Sequence, residues 1–234
     1  MKKFGGGDLA VWPKVILFDL DGTLIDSAPD IRASTNILLA KGGHAELSLD
    51  EVRSMIGNGV KKLVQRAFAA RDVALDDAEL NATTDSMMKI YGDHLVVHTV
   101  LMPHADRLIR SYHAMGTKLG IVTNKPEGFS SQIVDHFALS DMIDIKVGGD
   151  TGPDRKPAPD MLFYALKQLG LDVSQALFVG DSPADIDAAR AAGMTNIAVR
   201  GGYTNVPVEE LGADMVIDSL NALPSAIESL MELA

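Results

Sequence analysis

Four polar clusters follow or flank apolar runs of the sequence, and their residue types suit phosphoryl chemistry. Asp19 and Asp21 follow the first apolar run, Thr123 follows a later run, Lys156 precedes a helical segment, and Asp181 follows another run. Carboxylates bind hard cations such as Mg²⁺, and a carboxylate can also accept a phosphoryl group as a nucleophile. A hydroxyl and an ammonium group can stabilise the charge that spreads over phosphoryl oxygens in the transition state.

The apolar runs before these clusters predict the buried strands of a parallel sheet. Most of the runs are continuous rather than alternating, which is typical of strands covered on both faces. Helical patterns separate the later runs, so we expect an α/β fold with a doubly wound, mostly parallel, Rossmann-like sheet. The predicted strands cover residues 15–18, 119–122, 143–147, 176–179, 196–199 and 215–217. Ligands of such sheets bind at the carboxyl ends of the strands, where all four polar clusters fall.

The alternation of strands and helices is interrupted between residues 29 and 97, where no strand pattern occurs. Residues 60–68 carry apolar side chains at helical spacing within this segment. One helix is enough to connect two parallel strands, so the excess predicts an inserted, small, all-helical cap domain. We therefore expect an α/β catalytic core over residues 1–27 and 98–234 and a helical cap over residues 28–97.

The composition restricts the partners that this protein can have. Asp and Glu number 32 and Lys and Arg number 21, which gives a formal net charge of −11. Such a charge disfavours nucleic acid, so a phosphate site here must concentrate positive charge locally. No apolar run approaches the roughly 20 residues that span a bilayer, and the first residues lack a secretory pattern. We expect a cytoplasmic monomer or homodimer without a nucleic-acid or membrane partner.

The four clusters resemble the ordered motifs of the haloacid dehalogenase superfamily. The similar segments are Asp-Leu-Asp-Gly-Thr-Leu at 19–24, Val-Thr-Asn at 122–124, Lys-Pro at 156–157 and Gly-Asp-Ser-Pro-Ala-Asp at 180–185. They occur in the right order, and the resemblance extends over residues 15–200. The first and fourth motifs are highly specific, whereas a lone threonine or lysine would carry no weight.

This resemblance implies catalytic roles for the motif residues. It implies that Asp19 is the nucleophile and that Asp21 acts as general acid and then as general base. Thr123 and Lys156 are the catalytic groups expected to contact the phosphoryl oxygens. Dehalogenases of the superfamily lack the second aspartate, so Asp21 favours phosphoryl chemistry.

The resemblance also implies Mg²⁺ as the cofactor. The expected ligands are the carboxylates of Asp19 and Asp181 and the backbone carbonyl of Asp21. Asp185 and Ser182 are expected to lie just behind these groups. Asp185 would orient Lys156 or a water molecule.

The substrate is expected to be a small phosphorylated metabolite. Residues 57–59, 123–126, 156–159 and 201–204 most resemble the corresponding segments of phosphoglycolate phosphatases. We therefore expect hydrolysis of 2-phosphoglycolate to glycolate, a reaction of carbohydrate metabolism. The residues expected to bind substrate are Asn124, Gly57, Asn58, Gly22 and Thr23. The glycines near Asn58 would let backbone amides approach a substrate carboxylate closely.

Several alternatives are left open by the sequence. Phosphatases for sugar phosphates and other small acids share this architecture, and sugar-phosphate mutases are related. A phospho-accepting signalling switch also combines Asp, Thr and Lys, but such domains are about half this length and have no cap. The contacts of Lys125, Lys61 and Lys62 also stay open, because most lysines are simply solvent-exposed.

Overall fold

The structure, a computed structural model, describes residues 12–233, so residues 1–11 and 234 of the predicted core lie outside the described part. The strands are β1 (Val15–Phe18), β2 (Ile25–Asp26), β3 (Val100–Leu101), β4 (Lys118–Val122), β5 (Ile145–Val147), β6 (Ala176–Gly180), β7 (Thr195–Val199) and β8 (Met215–Ile217). The α-helices are α1 (Ala28–Lys41), α2 (Leu49–Arg53), α3 (Val60–Ala69), α4 (Asp77–Gly92), α5 (Ala105–Ala114), α6 (Glu127–His136), α7 (Asp160–Leu169), α8 (Pro183–Ala191) and α9 (Leu223–Glu232).

The central sheet is parallel, with its six strands in the order β5-β4-β1-β6-β7-β8. Each of its strands corresponds to one of the predicted apolar runs, so the predicted fold class is confirmed. β1 lies between β4 and β6, and the polar clusters that follow these three strands therefore meet at one edge of the sheet.

Both faces of this sheet are covered, which explains why its strands are continuously apolar. Successive side chains of a strand point to opposite faces. Ile16 and Phe18 of β1 belong to a core cluster with the apolar faces of α5, α6 and α9. Val15 and Leu17 belong to a second cluster with α7 and α8. Parallel strands buried in this way need apolar residues at every position.

Helices α1 to α4 form the inserted cap between β2 and β3. Leu39, Val64 and Met87, which come from three of these helices, are all buried in the cap. Helix α2 has only five residues, too few for a helical period to be detected in the sequence. It begins at a capping box, in which Ser48 N donates to Glu51 Oε2 (2.7 Å) and Glu51 N donates to Ser48 Oγ (3.2 Å).

The chain leaves and re-enters the core through adjacent segments. β2 and β3 pair antiparallel, with Ile25 opposite Leu101. The buried carboxylate of Asp30 accepts hydrogen bonds from the backbone amides of His98 and Thr99 at 2.7–2.9 Å. These contacts fix the return of the cap beside its start. Across residues 12–233, every helix is too short or too polar to cross a membrane.

Candidate active site

Asp19, Thr123 and Asp181 directly follow the adjacent strands β1, β4 and β6. Asp19 N donates to Val179 O (2.9 Å), and Thr123 N donates to Val147 O (3.0 Å), so both backbones continue the hydrogen bonding of the sheet. All three side chains are buried. The sheet therefore supplies a rigid floor on which a carboxylate, a hydroxyl and a second carboxylate converge.

Lys156 joins this floor and contacts two carboxylates. Its Nζ lies 2.9 Å from Asp19 Oδ1 and 2.5 Å from Asp185 Oδ1. The other oxygen of Asp185 accepts hydrogen bonds from Ser182 Oγ (2.7 Å) and Ser182 N (2.9 Å). Burial opposes the charge on Lys156, but the carboxylates of Asp185 and Asp19 outweigh it and raise the pKa of this ammonium group. Asp185 thus holds Lys156 in place, and Lys156 stays charged beside Asp19.

Asp181 is enclosed by two loops that glycines allow to approach closely. Thr23 Oγ1 donates to Asp181 Oδ1 (2.7 Å), and Tyr203 N donates to Asp181 Oδ2 (2.7 Å). Gly22 has a φ of +88°, and a Cβ on it would lie 2.6 Å from Asp181 Oδ2. A Cβ on Gly202 would clash with the same carboxylate. The structure places Gly22 and Thr23, both predicted to bind substrate, against Asp181, whose carboxylate Thr23 orients through its hydrogen bond.

The carboxylates fit a hard divalent cation. One oxygen from each of Asp19, Asp181 and Asp185 lies within 4.8 Å of the others. Asp19 Oδ1 is buried and receives no hydrogen bond, although Lys156 lies beside it as an ion-pair partner. Burial, aided by the charge of Asp185, raises the pKa of Asp19 to about 6, and the same causes raise the pKa of Asp181. Both oxygens of Asp185 are already hydrogen bonded, Oδ1 to Lys156 and Oδ2 to Ser182, so Asp19 and Asp181 are the side chains suited to hold Mg²⁺.

The raised pKa of Asp19 predicts how the stability of the protein depends on pH and on Mg²⁺. Because the pKa of Asp19 in the folded protein lies above its ordinary value of 3.8, the folded state binds this proton more tightly than the unfolded state. The metal-free protein should therefore lose stability as the pH rises from 3.8 through about 6. Mg²⁺ needs the deprotonated carboxylate, so it should raise Tm more at about pH 7.5 than at about pH 5.

The measurement is Tm with and without Mg²⁺ at both pH values, at constant ionic strength. Asp181→Asn should abolish most of the shift, whereas Asp187→Asn, an exposed change on α8, should leave it intact. A Mg²⁺-induced shift that is equal at both pH values would contradict the prediction.

Asp21 lies beside this cluster and is bonded to core side chains. Its Oδ1 accepts hydrogen bonds from Ser27 Oγ (2.5 Å) and from Lys125 Nζ (2.8 Å), and its Oδ2 lies 3.1 Å from the same Nζ. Lys125 Nζ also donates to Tyr91 Oη of α4 (2.6 Å). The sequence left Lys125 open as a lysine that could be exposed, but only 5% of its surface is accessible. Lys125 and Tyr91 thus link the core to the cap at the site.

A cleft lies between the strand ends and the cap. It encloses about 510 Å³ of empty space, including open solvent at its mouth. The core side presents Asp19, Asp21, Thr123, Asn124 and Lys125, and the cap side presents Ile31, Ile56, Gly57, Gly59, Val60, Leu63, Met87 and Tyr91. The core side is therefore polar and charged, whereas the cap side is mostly apolar.

Asn124 connects the cap loop to the core. Its Nδ2 donates to Gly57 O (2.8 Å) and to Lys156 O (2.9 Å). Its Oδ1 is buried and has no hydrogen-bond partner among residues 12–233. Asn124 therefore holds the loop that carries Gly57 over the cleft and keeps one acceptor free.

The polar side chains of this cap loop and of helix α3 lie outside the cleft. Asn58 is exposed, and its Oδ1 accepts a hydrogen bond from Arg66 Nη2 (2.8 Å). Lys61 and Lys62 are also exposed, and each is hydrogen bonded to a neighbouring cap side chain. Gly57 and Gly59 line the cleft, whereas Asn58, Lys61 and Lys62 line a second opening that also reaches Lys156.

Tyr203 connects Asp181, at the end of β6, to the start of the cap. Its hydroxyl donates to Asp26 Oδ1 (2.6 Å) and accepts hydrogen bonds from Ser27 N (2.8 Å) and Ala28 N (3.1 Å). Its backbone amide meanwhile binds Asp181. The family resemblance includes residues 201–204, but it does not indicate that Tyr203 joins Asp181 to the start of the cap.

The sequence is similar to those of known proteins. Residues 16–199 match the family described as haloacid dehalogenase-like hydrolase. A phosphoglycolate phosphatase of Rhodospirillum rubrum is 40% identical over 90% of this chain and 89% of its own length. A phosphoglycolate phosphatase of Caulobacter vibrioides is 37% identical over 92% of this chain and 91% of its own length.

A solved structure shows the same fold. The crystal structure of a predicted phosphoglycolate phosphatase from Haemophilus somnus superposes with a TM-score of 0.86. It is 32% identical and covers 91% of this chain and 97% of its own. The family match spans the strands that carry Asp19, Thr123 and Asp181, so the motif residues and the fold agree. The chain is a hydrolase that belongs to the haloacid dehalogenase-like family.

Proposed function

We propose that this protein hydrolyses a small phosphate monoester with Mg²⁺ through an aspartyl-phosphate intermediate, and that the substrate is 2-phosphoglycolate. The observation that carries the proposal is the position of Asp19. Its carboxylate is buried at the floor of the cleft, beside Lys156 and within 4.8 Å of Asp181. A nucleophile, a cationic group and the ligands of a divalent cation therefore converge on one end of a small cleft.

In the first step, a carboxylate oxygen of Asp19 attacks the phosphorus atom of the bound ester. An oxygen–phosphorus bond to Asp19 forms while the bond between phosphorus and the leaving oxygen breaks. Asp21 donates a proton to the leaving oxygen, which departs as an alcohol. Thr123 and Lys156 contact the phosphoryl oxygens and stabilise their charge in the transition state.

In the second step, water attacks the phosphorus atom of the aspartyl-phosphate. Asp21, now a carboxylate, accepts a proton from that water as the general base. The bond between phosphorus and the Asp19 oxygen breaks, and inorganic phosphate leaves. Both aspartates then return to their starting states, so turnover requires only the ester and water.

Mg²⁺ would be held by the carboxylates of Asp19 and Asp181 and by the backbone carbonyl of Asp21. When bound, it supplies positive charge that offsets the phosphoryl group and the clustered carboxylates. This meets the need for local positive charge that the overall charge of −11 creates. Thr23 and Tyr203 hold the Asp181 carboxylate, and Ser182 with Asp185 holds Lys156.

The substrate proposal is supported by the cleft and by the named relatives. Three bacterial relatives that are 37–40% identical to this chain carry the name phosphoglycolate phosphatase. The cleft is small, and Asn124 holds the Gly57 loop above it. We propose that Asn124 and the backbone around Gly57 and Asn58 contact the substrate beyond its phosphoryl group. The cap would comprise residues 28–97, and the core residues 1–27 and 98–234.

The test is a turnover screen of small phosphate esters with Mg²⁺. 2-Phosphoglycolate should give the largest kcat/KM, ahead of 2-hydroxyethyl phosphate, a neutral ester of similar size, and of sugar phosphates. Chelation should abolish phosphate release, and Mg²⁺ should restore it. Ca²⁺ should restore it poorly, because Ca²⁺ takes more oxygen ligands and binds carboxylates in bidentate fashion. A larger kcat/KM for a sugar phosphate would overturn the substrate, and full activity of metal-free protein would overturn the metal requirement.

A further inference from the structure

Lys125 is a buried cation for which the proposed phosphoryl chemistry has no use. It follows β4 by three residues and lines the cleft with Asp19 and Thr123. Lys156 already supplies the ammonium group beside the nucleophile. A buried ammonium group is costly unless it is paired, so its position needs a partner of opposite charge.

Two partners hold Lys125 in this structure. The carboxylate of Asp21 lies 2.8 and 3.1 Å from its Nζ, and Tyr91 Oη lies 2.6 Å away. The Nζ also sits 4.7 Å from the centre of the Tyr91 ring. Burial opposes the charge, but Asp21 and Tyr91 outweigh it and raise the pKa of Lys125, so the side chain stays cationic.

The remaining wall of the cleft is poor in positive charge. Of the cleft-lining side chains in residues 12–233, Lys125 is the cationic one, and the cap side is mostly apolar. The side chains of Lys61 and Lys62 do not line this cleft but a second opening that also reaches Lys156. An anionic group on the substrate, away from its phosphoryl group, therefore has one ammonium partner in this cleft.

We infer that Lys125 is the residue that selects substrates with a second anionic group, by exchanging Asp21 for the substrate carboxylate. This inference rests on the proposed function and assigns its specificity to a core residue rather than to the cap. The exchange replaces one carboxylate on Lys125 by another, so the ammonium group stays paired throughout. A neutral ester offers no such replacement and leaves Lys125 on Asp21.

The exchange has a further consequence for the proposed chemistry. While Lys125 is bound to both oxygens of Asp21, that carboxyl group is directed at the lysine. Once a substrate carboxylate occupies Lys125, Asp21 keeps its contact with Ser27, takes up a proton from water and is free to turn to the leaving oxygen. Binding of the substrate carboxylate to Lys125 would thus release Asp21 to act as the general acid.

Tyr91 supplies a second hydrogen-bond donor to the substrate carboxylate. Its Oη accepts the hydrogen bond from Lys125, and within residues 12–233 it has no other hydrogen-bond partner. Its O–H proton is therefore available to the substrate carboxylate. An edge-to-face contact with Phe129, 5.5 Å between ring centroids, fixes the ring. Tyr91 is a cap residue, so the acid would also hold the cap over the core.

The experiment compares kcat/KM for 2-phosphoglycolate with that for 2-hydroxyethyl phosphate. Lys125→Met should reduce the ratio of the two values at least about tenfold, because a charge-assisted hydrogen bond is lost only for the acid. Lys125→Arg should retain part of the preference, and Tyr91→Phe should reduce it less than Lys125→Met does. Lys89→Met, an exposed change on the same cap helix as Tyr91, is the matched control and should leave the ratio unchanged.

The ratio separates this role from a structural one. Loss of Lys125 also removes the ion pair that holds Asp21. In the wild-type protein only the acid releases Asp21 from this pair, so this effect lowers the ratio in the same direction as the lost contact with the substrate carboxylate. A wild-type protein that prefers the acid and a Lys125→Met variant that keeps this preference would overturn the inference alone. A wild-type protein without the preference would overturn the proposed substrate.

Should Lys125→Met fail to fold, as judged by Tm, Tyr91→Phe and Lys125→Arg decide the question by the same ratio.

Discussion

Asp19→Asn is expected to lower turnover by about 10⁴-fold or more, because it removes the attacking charge while keeping the shape of the side chain. The carboxylate of Asp19 is buried at the end of β1, where the cleft meets the sheet. An amide oxygen is a far weaker nucleophile and a weaker ligand for Mg²⁺ than a carboxylate oxygen. The measurement is kcat for phosphate release with Mg²⁺, together with acid-quenched trapping of the phosphoenzyme.

The variant should remain folded, since Lys156 keeps its contact with Asp185. The substitution also reduces the repulsion between the negatively charged carboxylates of the cluster. Tm should therefore confirm a folded protein before any loss of activity is interpreted. Asp187→Asn makes the same chemical change at an exposed position of α8 and should retain full turnover. Wild-type turnover in Asp19→Asn would exclude Asp19 as the nucleophile.

The sheet could be predicted from the sequence because burial on two faces requires apolar residues at successive positions. β1 shows this directly, with Val15 and Leu17 in one core cluster and Ile16 and Phe18 in the other. The ribbon of β2 and β3 could not be predicted, because each strand has two residues and no period can be detected. The antiparallel pairing depends on how the cap enters and leaves the core.

The groups at the strand ends could be placed because a parallel sheet brings the ends of neighbouring strands together. Asp19, Thr123 and Asp181 follow this rule. The contacts of Thr23 and Gly22 with Asp181 could not be predicted, because they depend on a loop whose path the sequence does not specify.

Lys125 and Tyr91 show where local sequence patterns cease to be informative. Their contact joins residues 34 positions apart, across the boundary between core and cap. A lysine at the start of a helix is usually exposed, and nothing in the sequence near Lys125 indicates burial. Its partner Asp21 belongs to a recognised motif, but the ion pair between them depends on tertiary structure.

Asp21→Asn is expected to lower kcat by about 10²–10⁴-fold and, unlike Asp19→Asn, to do so in a manner that depends on the leaving group. An asparagine cannot give a proton to the leaving oxygen or accept one from water. Its proposed contact with Mg²⁺ is the backbone carbonyl, so the Mg²⁺-induced rise in Tm should be preserved. The side-chain amide can still accept a hydrogen bond from Ser27 or Lys125.

The leaving group separates the two roles of Asp21. An alkyl phosphate needs the proton in the first step, so its kcat/KM should fall most in Asp21→Asn. An activated aryl phosphate needs little protonation, so its first step should stay fast and release the phenol in a burst. Water attack then lacks its general base, and phosphoenzyme on Asp19 should accumulate. The measurements are kcat/KM for alkyl and aryl phosphates, stopped-flow detection of the phenol, and acid-quenched phosphoenzyme, with Asp187→Asn as the control. If both classes of ester lose rate equally and no phosphoenzyme builds up, Asp21 is neither the acid nor the base, and its ion pair with Lys125 would be its main contribution to the site.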